Sequence, residues 1–145
     1  MKQPQTFGEL KSSGYRNRTI KEELRENLIN ALSKGETLFS SIHGYDKTVI
    51  PDIERAILSG HNINLLGLRG QAKTKIARGM VRFLDEWIPI VEGSEINDDP
   101  FNPISYYAKE KMKLMGDDTP ISWLNRSDRF VEKLATPDVS VADLI

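Results

Sequence analysis

The sequence predicts an α/β fold: a parallel sheet with helices on both faces, preceded by a helical N-terminal element. Three observations predict it. An apolar run, Ile63 to Leu66, leads into a glycine-bearing loop, and a helical pattern follows from Ile76 to Leu84. Ile20, Leu24, Leu28, Ile29 and Leu32 recur at helical spacing. Pro89 to Val91 offers a short apolar run suited to a second strand.

In chain order, residues 1–18 are polar and basic and read as a mobile or loosely docked arm. Thr19 reads as an N-cap, and Glu22 completes a capping box. The helix begun there should stop near Gly35. Leu38 to Tyr45 reads as an apolar loop. A second helix is expected over Lys47 to Ser59, with Ile50, Ile53, Ile57 and Leu58 buried and Gly60 ending it. Asn62 to Leu66 reads as a buried central strand. Lys73 to Trp87 reads as a helix with Ile76, Met80, Val81 and Leu84 inward. Residues 93–128, with Pro100, Pro103 and Pro120 and one helix over Ile104 to Met115, read as an insertion. Arg129 to Leu134 alternates like a strand, and Ser140 is placed to cap a helix beginning at Val141.

The loop carries the chemistry. Gly67-Leu68-Arg69-Gly70-Gln71-Ala72-Lys73-Thr74, with Lys75 next, has the order strand, glycine loop, Lys-Thr, helix that holds a nucleoside triphosphate. Backbone N–H groups of such a loop cradle phosphate oxygens, and the helix N-terminus adds partial positive charge. Lys73 would reach the β- and γ-phosphates, and the Thr74 hydroxyl would bind Mg²⁺. Ala72 stands where the usual pattern has glycine. Its methyl is tolerated if φ is negative, so a variant loop is expected.

Composition narrows the classes. The 145 residues suit one domain. Twenty basic and twenty-one acidic residues give a net charge of −1 without a basic tract, so nucleic-acid binding by a broad cationic face is not expected. There are no cysteines, which removes disulfides and thiolate chemistry and fits a cytoplasmic setting. No apolar run approaches the ~18 residues of a membrane span. His43 and His61 do not form a helical metal pair and read as structural.

Phe39 to Tyr45, Ile57 to Leu66, the loop with its Ala-Lys-Thr ending, Leu84 to Pro89 and Ala135 to Ile145 together resemble the magnesium chelatase ATPase subunit and its relatives in the AAA+ class. The resemblance implies a P-loop NTPase three-layer sandwich, with residues 1–34 as arm and helix and 35–145 as a partial AAA+ domain. It implies ATP and Mg²⁺ as ligands, with Ile42 and Tyr45 against the adenine. It further implies a ring homo-oligomer, when the protein is complete, acting on a protein partner. The strand-borne Asp-Glu that such ATPases need for hydrolysis is not found. Asp85-Glu86 reads as a solvated helix end, and Asp98-Asp99 and Asp117-Asp118 read as loop polar residues. An N-terminal piece of a longer ATPase is therefore expected, with an incomplete sheet that binds nucleotide and hydrolyses it poorly. The competing reading is a docking or regulatory module that uses residues 93–128, with Phe101, Tyr106, Tyr107 and Trp123 as anchors.

Overall fold

The computed structural model describes residues 3–133, 139, 140 and 142. Helices α1 (Phe7–Ser12), α2 (Ile20–Ser33), α3 (Val49–Leu58) and α4 (Lys73–Met80) precede strand β1 (Trp87–Val91), helix α5 (Tyr106–Met115) and strand β2 (Ile121–Asn125). The helix expected at Val141 lies outside the described residues.

The helical half forms where capping and periodicity agree. Thr19 and Glu22 exchange both capping-box bonds at the start of α2, and Gly35 turns the chain out of it at φ 69°. α3 buries Ile50, Ile53 and Ile57 as expected, whereas Leu58 is only partly buried against the core. The core joins these to Leu28, Ala31, Leu38, Phe39, Ile42, Ile76 and Phe83. The buried face of α2 differs from the periodic reading: Glu23, Leu28 and Ala31 face inward, while Ile20, Ile29 and Leu32 are exposed.

The parallel sheet is not found among the described residues. Their one sheet is an antiparallel pair, β1 with β2, in register from Trp87 opposite Asn125 to Val91 opposite Ile121. The central strand expected at Asn62–Leu66 is not a strand either. A strand exists only through a ladder partner, and none of the described residues supplies one. Its alternation survives in packing: Ile63 and Leu65 touch the core, while Leu66 is 86% exposed.

The helix expected to reach Trp87 stops at Met80. A 3₁₀ turn, Val81–Phe83, carries Phe83 fully into the core, and Leu84 is already extended. Tertiary bonds then hold the chain at Asp85. Asn27 donates to the Phe83 carbonyl and to Asp85, each at 2.8 Å, and Arg18 pairs with Asp85, whose N–H donates to Glu23. Asp85 is therefore a partly buried anchor and not a solvated helix end.

Residues 93–128 carry α5 and β2 and return to pair with β1. The N-terminal arm docks on them. Thr6 bridges Pro120, Phe7 N–H donates to the Thr119 carbonyl at 2.9 Å, and Ile121 N–H donates to the Gln5 carbonyl at 3.0 Å. Leu10 is fully buried. Phe101 packs between Phe7 and Tyr15, and the Trp123 indole donates to the Pro4 carbonyl at 2.9 Å. These two aromatics are thus used inside the chain, whereas Tyr106 is 80% exposed.

Asp98, expected to be a loop residue, is 4% exposed and organises the turn between β1 and α5. It accepts from Ser94 Oγ at 2.6 Å, Ser105 Oγ at 2.5 Å, Ile104 N–H at 2.6 Å and Ser105 N–H at 2.9 Å. The strand expected from Arg129 is not formed. Arg126–Arg129 is a 3₁₀ turn, and Phe130 to Lys133 join no ladder. Arg129 is instead held on Glu23.

Candidate functional site

Helix α4 begins at Lys73, and the residue before it decides what its N-terminus can bind. Ala72 is the N-cap, with φ 55° and ψ 15°, so the expected negative φ is corrected to a left-handed one. This conformation costs an L-residue about 1–2 kcal/mol. Alanine also has no side-chain acceptor, and the helix carries no side-chain cap and no acidic residue in its first turn. The N–H groups of Lys73, Thr74 and Lys75 donate to no other described residue. The result is a set of free donors at the positive end of the helix dipole, the requirement for holding an anion.

The loop before it is folded on itself. Lys73 Nζ donates to the Gly67 carbonyl at 2.8 Å and to the Leu68 carbonyl at 2.5 Å. The Leu68 N–H donates to Gln71 Oε1 at 2.9 Å. Gly70 turns the chain at φ 82°. Lys75 donates to the Ser41 carbonyl at 2.5 Å, and Arg82 donates to the Leu38 carbonyl at 2.8 Å, so α4 and the turn after it are tied to the Leu38–Tyr45 loop from two positions. Gly79 allows that approach: a methyl there would stand 3.0 Å from the Phe39 ring.

Two depressions meet at this loop. The first, about 430 Å³, is lined mainly by Tyr45, Val49, Ile53, Ala56, Ile63, Leu65, Leu66 and Ile76, with the polar Asp52, Asn64, Gln71 and Lys73. The second, about 720 Å³, is polar and cationic and is lined by Arg69 to Lys75 together with Arg78. Gln71 and Lys73 belong to both. A largely apolar cavity that shares Lys73 with a cationic depression beside free amides suits a molecule with a flat apolar part and a polyanionic tail.

The structure brings Gly67 through Lys75 and Tyr45 into this one region. Ile42 lies apart from the cavity wall, 5% exposed within the core. Thr74 is exposed, with its hydroxyl engaged by no described residue. Among the described residues no group of three His, Cys, Asp or Glu side chains is arranged to hold a metal. Sequence reasoning named Gln71 only as a loop member. Its bond to Leu68 N–H has no local signature, because it depends on how tightly the loop closes.

No protein-family model matches the chain, and no solved structure matches it significantly. Two curated sequences are similar to it. Both are the Transport/processing ATP-binding protein ComA, from two strains of Streptococcus pneumoniae, each 34% identical over 58 residues. That match takes in 38% of this chain and 8% of ComA, so the chain spans less than a tenth of these relatives. The similarity is to an ATP-binding protein, and nothing in it singles out the magnesium chelatase branch. No helix among the described residues is long and apolar enough to cross a membrane.

Proposed function

We propose that this chain is a nucleotide-binding module that takes ATP with Mg²⁺. One observation carries the reading: Lys73 stands where the apolar cavity and the cationic depression meet, at the start of an uncapped helix. Tyr45 and the aliphatic wall would take the base. The Lys73, Thr74 and Lys75 amides with the Lys73 ammonium would take the phosphates, and the Thr74 hydroxyl would approach Mg²⁺. The ATP-binding name of the ComA relatives supports the same ligand. The finer assignment, to a chelatase-like AAA+ ATPase that acts as a ring on a protein partner, rests on the resemblance of the Phe39–Tyr45 and Ile57–Thr74 segments.

The test is titration with a fluorescent ATP analogue, with and without Mg²⁺, on the wild type and on Lys73→Ala. Mg²⁺-dependent binding that weakens at least roughly tenfold in the variant, with the fold intact by circular dichroism, is expected, since removing a charged hydrogen-bonding partner is worth about that factor or more. Equal binding by wild type and variant would remove Lys73 from the phosphate role.

A further inference from the structure

We propose that Gln71 is a built-in plug of the loop, so that the site must release its own side chains before an anion enters. The inference rests on the nucleotide-binding reading above and concerns the regulation of that same site. In a loop that receives phosphate, backbone N–H groups point at the anion and the lysine reaches toward it. Here one loop amide and the lysine are already engaged within the loop, while the N–H groups at the start of α4 stay free. The Gln71 carboxamide oxygen takes the Leu68 N–H at 2.9 Å. The Lys73 ammonium is held by the Gly67 and Leu68 carbonyls.

The fit is close. A methyl at Gly67 would overlap the Gln71 carboxamide, so glycine at 67 is what gives the plug its seat. Gln71 and Lys73 are also the two residues that line both depressions. An uncharged carboxamide suits this task. It satisfies the amide in the absence of ligand, yet it binds less strongly than a charged oxygen and yields to phosphate. Binding therefore draws on the open state: the ligand selects the state in which Gln71 has swung away and Lys73 is free, and the apparent affinity is the intrinsic one multiplied by the fraction of chains in that open state.

Two variants test this. Gln71→Ala removes the plug from an exposed position and leaves the fold intact. Gln71→Glu keeps an acceptor on Leu68 N–H and adds a negative charge beside Lys73. Hydrogen exchange without nucleotide reads the plug directly: the Leu68 amide is protected in the wild type and exchanges faster in Gln71→Ala. Stopped-flow mixing with a fluorescent ATP analogue and Mg²⁺ reads its consequence. Gln71→Ala binds roughly three- to tenfold more tightly, the equivalent of one released hydrogen bond, and Gln71→Glu binds more weakly. The wild-type rate levels off at high nucleotide, whereas that of Gln71→Ala keeps rising. An unprotected Leu68 amide, or weaker binding by Gln71→Ala while the wild type binds, overturns the plug and leaves the nucleotide reading standing. A protected amide with no nucleotide binding by wild type or either variant overturns the nucleotide reading, and the role proposed for the plug falls with it.

Discussion

Arg129 grips Glu23 with two parallel bonds, 2.7 Å to Oε1 and 2.6 Å to Oε2, across 106 residues of sequence. Both side chains are less than a tenth exposed. Glu23 Oε1 also accepts the Asp85 N–H, so one carboxylate joins α2, the turn after α4 and the turn after β2. A buried pair of this kind is not in itself a large source of stability, because two desolvated charges offset much of their attraction. Removing one partner is different, since it strands the other in a dry site. Arg129→Met is therefore expected to destabilise the fold by about 3–5 kcal/mol. The double variant Glu23→Leu/Arg129→Met should recover a measurable part of that loss. Urea unfolding of the wild type, both single variants and the double variant checks this, and a double-variant loss equal to the sum of the two single losses would mean that the pair is not coupled.

Asp98 gives the structure an acid-sensitive joint. Burial alone would push its pKa up, but the hydroxyls of Ser105 and Ser94 and the N–H groups of Ser105 and Ile104 outweigh burial and hold the carboxyl well below the usual carboxylate range. The unfolded chain has an ordinary aspartate at about 3.9. A depressed folded value means stability that is fully present above about pH 4 and lost progressively as pH falls below it. Asp98→Ala should cost about 3 kcal/mol at neutral pH, because several donors lose their acceptor. It should also flatten the decline of the urea midpoint below about pH 4. A variant that keeps the wild-type acid profile would assign the loss to other carboxylates.

How much of the fold and site was legible in the sequence depends on where each determinant lies. The capping box at Thr19 and Glu22, the buried face of α3 and the glycine loop before α4 rest on neighbours a few positions apart, and their patterns are visible in one dimension. The end of α4 is not. Phe83, Leu84 and Asp85 continue a helical pattern, and tertiary bonds with Asn27, Arg18, Glu23 and Arg126 hold the chain away from it. The arm reads as polar and loose because its anchors, Leu10, Phe7 and Tyr15, gain their value from residues far along the chain, the two rings from Phe101 and Trp123. Asn62 to Leu66 has the composition of a strand, but composition does not supply a partner. At the site, the glycine loop could be read from residue types, whereas Ile42 and Tyr45 came only from the resemblance, and of the two only Tyr45 lines the cavity; the engagement of Gln71 and Lys73 within the loop could not be read at all, because it depends on closure.

Ala72 is the position where the loop departs from a glycine pattern, and its backbone makes the departure measurable. With φ at 55°, it occupies a region where glycine is at no disadvantage and alanine is strained. Ala72→Gly removes that strain but adds freedom to the unfolded chain, so the net gain should be about 0.5–1 kcal/mol. Thermal unfolding of the two proteins reads the sign. The same substitution bears on the site, because a glycine at 72 leaves the loop free to rearrange around Lys73. If left-handed geometry is needed in the bound state, Ala72→Gly should bind the ATP analogue at least as tightly as the wild type. If instead the bound loop requires negative φ at this position, the variant will be more stable and yet bind more weakly, since glycine loses more entropy when held there. Stability and affinity measured together on this one variant therefore tell whether the left-handed loop conformation is the one that receives phosphate.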